Sequence, residues 1–93
     1  MGFTTISSKQ LAASGDAFGG PARVKAVWIS HSGNAGIVKL RDGGATGTIK
    51  MTLNTALVAD EYQCDIPEPG IRCETKPYIA ISGGISFVTV FYD

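Results

Sequence analysis

The chain has 93 residues with eight basic and eight acidic side chains, a formal net charge of zero, 44% hydrophobic residues, 12 glycines and four prolines. That length makes one domain, and without clustered Lys or Arg to displace phosphate counterions it excludes a nucleic-acid partner. No run is apolar enough to cross a bilayer, so no membrane partner is expected either.

A chain of this size buries only about two-thirds of its unfolded surface. Its own core therefore gives modest stability, and contact with a partner or with copies of itself is expected. Zero net charge provides little colloidal repulsion, which suits a subunit that assembles. The start, Met1-Gly2-Phe3-Thr4-Thr5-Ile6, has no charged segment followed by an apolar block. It therefore does not read as a signal peptide, and synthesis in a cytoplasm is expected. The position of Ser7 also misses the myristoylation pattern, which wants Ser or Thr one residue earlier.

Residues 1–21 read as an extended N-terminal arm ahead of a domain at residues 22–93. Phe3 to Ser8 could pair as a short edge strand. Gln10-Leu11-Ala12-Ala13 could make one helical turn before Ser14-Gly15 and Gly19-Gly20-Pro21 stop it. Arms of this kind reach onto neighbours or fray.

Ala22 to Ser30 is a strand. Strand side chains alternate between faces, which puts Val24, Ala26 and Trp28 on one side and Arg23, Lys25, Val27 and Ile29 on the other. Trp28 between Val and Ile is expected to anchor the core. An exposed, sugar-stacking Trp28 is the alternative. His31 to Gly36 reads as a turn with its tight point at Gly33-Asn34. His31 has no Gly-x-Ser-x-Gly elbow and no partner to orient its imidazole, so it reads as a solvated turn residue.

Ile37 to Leu53 reads as a β-hairpin. Lys39 and Arg41 point away from the Leu40 side, and Thr48, Lys50 and Thr52 alternate with Ile49, Met51 and Leu53. Asp42-Gly43-Gly44 supplies the turn, because Gly takes positive φ freely and Asp bonds to backbone amides just ahead of it.

Glu61 to Ile66 alternates again, with Tyr62, Cys64 and Ile66 on one face. Pro67-Glu68-Pro69-Gly70 must turn, since prolines lack ladder donors. Ile71 to Glu74 and Tyr78 to Ser82 are short strands. Gly83-Gly84 reads as a two-residue hairpin turn into a last strand, Ile85 to Tyr92, that is apolar on both faces. Such a strand is central in a sheet or covered by another chain.

Cys64 and Cys73 lie close enough in sequence for a disulfide across neighbouring strands. With no export signal the expected state is two reduced, half-buried thiols. A metal would need two further ligands, and the single His is distant, so no metal and no cofactor are expected. The acids are scattered, which leaves no paired carboxylates and no candidate catalytic residue; the chain does not read as an enzyme.

Seven or eight short strands with a turn signal about every ten residues describe an all-β chain, an antiparallel β-sandwich or jelly-roll-like small barrel. Edges of such sheets need cover. Subunit contacts are expected at Thr4, Ile6, Leu11 and Phe18 in the arm and at Val88, Val90 and Tyr92 in the last strand. Exposed turns are expected at Asp42-Gly43-Gly44 and Pro67-Glu68-Pro69-Gly70.

Several stretches taken together carry a resemblance. They are Arg23 to Ser30 with its Gly-Asn turn, Ile37 to Gly43, Gly47-Thr48, Ile66 to Cys73, Tyr78 to Ile81, and the closing Val88-Thr89-Val90-Phe91-Tyr92. This layout, over residues 22–93, resembles the small virion structural proteins of tailed bacteriophages. The resemblance implies a β-sandwich that decorates a head, neck or tail in several copies, with other virion proteins as partners and no enzyme activity. It assigns no role to Cys64 or Cys73. A capsid decoration or cement subunit is the first expectation, and a neck, tail or short-fibre part the second. A glycan-binding module is the third, with Trp28, Tyr62, Tyr78 and Tyr92 as stacking faces and Asn34 and Asp42 as polar partners.

Overall fold

The computed structural model describes residues 6–54, 60–67 and 69–93. Among them are seven strands and no helix: β1 (Ser7–Leu11), β2 (Gly15–Asp16), β3 (Ala22–Asp42), β4 (Thr48–Asn54), β5 (Asp60–Asp65), β6 (Ile71–Cys73) and β7 (Pro77–Tyr92). Every pairing is antiparallel.

Two strands are long. β3 and β7 pair along most of their lengths, from Val24↔Tyr92 to Asp42↔Pro77, and each takes part in two layers. In the first layer the C-terminal half of β7 pairs with β1, and the N-terminal half of β3 pairs with β5 and β6. In the second, the N-terminal half of β7 pairs with β2, and the C-terminal half of β3 with β4. The layers face each other as a small β-sandwich, and one core cluster joins Val24, Val27, Ile29, Val88 and Val90 of the first to Val38, Leu40, Leu53 and Ile79 of the second.

The 37–53 hairpin forms as expected, closed by Asp42↔Thr48, with Gly43 and Gly44 at φ 108° and 106°. Two expected turns do not form. His31 to Gly36 and Gly83-Gly84 lie within β3 and β7, where the register jumps from His31↔Ile85 to Gly36↔Gly83. The extra residues fall on β3, so the ribbon turns a corner from one layer to the other. The two halves of β7 therefore pair with β3 instead of with each other.

The expected faces are corrected by three β-bulges. The register slips between Val24 and Ala26, placing Lys25 as an extra residue opposite β7. Val24 thereby joins Val27 and Ile29 in the core, while Trp28 faces outward and is 41% exposed. A second slip makes Lys50 the extra residue of β4, and Ile49 leaves the side of Met51 and Leu53 for solvent. A third makes Ser86 extra on β7, so Ile85 packs on the core with Val88 while Phe87 points out. One inserted residue reverses which face every following side chain takes.

Residues 7–17 do not stand apart from the domain as an arm. β1 and β2 are edge strands of the two layers, Leu11 packs against the core and Ala17 is part of it. Between these strands the Ser14 hydroxyl accepts the Ile81 N–H at 2.8 Å, on the β7 edge between the stretches that β1 and β2 pair.

Candidate functional site

The chemistry-bearing residues named from sequence do not gather in one place. Asp42 is half-buried at the end of β3 and is fully engaged. Its Oδ1 accepts the N–H groups of Thr75 (2.9 Å) and Lys76 (3.1 Å), and its Oδ2 accepts that of Glu74 (2.9 Å). The Gly43 N–H donates to the Lys76 carbonyl at 3.0 Å, so the hairpin turn clamps the segment between β6 and β7. Bonding from Thr75 and then Glu74 holds the Asp42 carboxyl below its ordinary value of 3.8. A group whose folded pKa is depressed stabilises the fold above its unfolded pKa, and that contribution is lost as pH falls through the folded value. Stability is therefore expected to fall with acid below about pH 3.8, and Asp42→Asn should flatten that limb in chemical denaturation at stepped pH.

The expected exposed turns are corrected in part. Gly43, Pro67 and Pro69 are exposed, Gly70 is half-buried, and Gly44 is buried. The Lys76 stem runs over Gly44, coming within 3.6 Å of where a Cβ would stand. Glu68 lies outside the described residues.

Val88 and Val90, expected at a subunit contact, are 0% exposed and fill the space between the layers, so they offer nothing to a second chain. The two-sided apolar character of their strand reflects its central place, between β1 and β3. Ile6 and Phe18 are exposed, Leu11 is half-buried, and Tyr92 packs on Phe18 with ring centroids 5.2 Å apart. Thr4 lies outside the described residues.

Both cysteines are free thiols. Burial, followed by the neighbouring Asp42 charge, pushes the Cys73 thiol up to about 11, which keeps it protonated and inert at neutral pH.

Of the aromatics offered as stacking faces, Trp28 lines a concavity. Tyr78 pairs in register with Arg41 and Asp16 in the second layer, and Tyr92 lies against Phe18. The Tyr62 and Asn34 side chains fall outside what is described. Trp28 sits instead above a depression of about 330 Å³ with Gln10, Ser30, Gln63, Phe87 and Thr89 around it. Its ring meets Phe91 edge-on, with centroids 5.0 Å apart and planes at 64°. None of Gln10, Ser30, Gln63, Phe87 and Thr89 stands out in sequence, because the strand register is what brings them together.

No protein family, no curated protein and no solved structure matches this chain.

Proposed function

We propose that this chain is a structural subunit of a bacteriophage virion, a capsid decoration or cement protein that works by protein–protein contact without catalysis. It would be made in the host cytoplasm and reside on the particle. The observation that carries this reading is the edge formed by β1. That strand pairs with β7 on one side and is the last of the described strands in its layer, with exposed Ile6 at one end and exposed Phe18 close to its partner strand. An edge offering backbone donors and acceptors next to apolar side chains suits strand addition by a shell protein. The resemblance of residues 22–93 to phage virion proteins points the same way.

The test is co-sedimentation of the purified, reduced chain with emptied shells and connectors of the particle. Wild type is expected in the pellet at saturable stoichiometry, and the double variant Ile6→Asp with Phe18→Asp in the supernatant. A wild-type chain that stays in the supernatant with every shell and connector preparation overturns the reading.

A further inference from the structure

The outer face of the first layer carries a row of side chains straight across four of its strands, β1, β7, β3 and β5. Gln10 on β1 stands opposite Thr89 on β7, Thr89 opposite Trp28 on β3, and Trp28 opposite Gln63 on β5. On the adjacent rows Phe91 pairs with Ala26, which stands opposite Asp65, and Phe87 pairs with Ser30, which stands opposite Glu61. The register thus sets an indole among primary amides and hydroxyls, with a phenyl ring on the row to either side.

We infer that this face is a binding site for an uncharged saccharide, with Trp28 as the stacking platform and Gln10 and Gln63 as hydrogen-bonding arms. A pyranose has a face of C–H bonds and a rim of hydroxyls. The C–H face packs on the electron-rich face of an indole. The rim needs donors and acceptors side by side, and each primary amide supplies both, as do the Ser30 and Thr89 hydroxyls.

The platform is set before any ligand arrives. Trp28 rests edge-on against Phe91 and stands on a paired strand, so little ordering cost attaches to binding. The volume of about 330 Å³ is at the small end of ligand sites and fits one or two sugar rings. Charge selects the class. Among the described residues no charged side chain lines the concavity, so an acidic sugar would give up hydration with no cation to receive it. A flat apolar protein surface would strand both glutamine amides without partners.

This site lies on the outer face, whereas the virion reading is carried by the outer edge of β1 and by Ile6 and Phe18. The two therefore fail separately. The chain contains one tryptophan, so its emission reports this site alone. The experiment is a fluorescence titration with neutral tetrasaccharides built on glucose, mannose, galactose and N-acetylglucosamine, with a tetragalacturonate as acidic control. A saturable change is expected with at least one neutral sugar and none with the acidic one. Trp28→Ala, followed by calorimetry, is expected to weaken binding about tenfold or more. Gln63→Ala, an exposed position whose loss should leave the circular dichroism unchanged, is expected to weaken it about two- to tenfold. A flat response to every neutral sugar up to about 10 mM overturns the inference. So does tighter binding of the tetragalacturonate, or neutral-sugar binding that survives both substitutions.

Discussion

Ile29→Ala is expected to lower stability by about 2–5 kcal/mol, while Trp28→Ala, one residue earlier, costs about 1 kcal/mol. From hydrophobicity and size alone the order would be reversed. Ile29 is 1% exposed, between the layers with Val27 and Val88. Truncating it opens a cavity that both layers would have to close, and β3 is held on both sides by other strands. A domain of this kind has about 5–15 kcal/mol in all, so the variant approaches unfolding at 37 °C. Trp28 faces solvent and loses chiefly its contact with Phe91. Urea denaturation of the two variants measures the difference. A larger loss at Trp28 than at Ile29 would mean that the bulge at Lys25 does not set the faces as described. Ile49→Ala is a control of the same chemistry on the solvent side, with an expected cost below about 1 kcal/mol.

That comparison marks where sequence stopped informing the fold. The strands were legible because alternation is a local signal, and the 37–53 hairpin because Asp42-Gly43-Gly44 encodes its own turn. The faces were not. Lys25, Lys50 and Ser86 each add one residue opposite a partner strand, and nothing in their identities announces a bulge. Turn signals were ambiguous in another way: glycines at His31 to Gly36 and at Gly83-Gly84 encode a change of direction. Whether that change makes a hairpin or a corner depends on which strand lies alongside, and β3 and β7 lie alongside each other on both sides of the bend. The same holds for the candidate site. Gln10, Trp28, Gln63 and Thr89 are spread over most of the chain and become neighbours through three separate registers. Asp42 was readable as a turn residue, but its grip on Glu74, Thr75 and Lys76 reaches more than thirty positions along the chain.

The corner makes the second large prediction. Gly36 is buried where the ribbon passes between layers and stands opposite Gly83. A Cβ there would come within 2.6 and 2.7 Å of Cδ1 and Cγ1 of Ile85 and within 2.9 Å of the Ser82 carbonyl oxygen. Ile85 cannot simply swing aside, because it packs against the core. Gly36→Ala is therefore expected to cost about 1–3 kcal/mol through overpacking. Ile85→Ala alone removes partly buried carbons, at about 2 kcal/mol. Combined, the two should cost less than their sum by about 0.5–3 kcal/mol, since the truncation removes both carbons that the new methyl would strike. The Ser82 carbonyl remains, so relief is incomplete. Strict additivity in the double-mutant cycle, read by urea denaturation, would mean that the added methyl is not accommodated against Ile85 and that the corner is built differently. Coupling of the expected sign would identify the Gly36–Ile85 contact as the point at which β3 and β7 pass from one layer to the other.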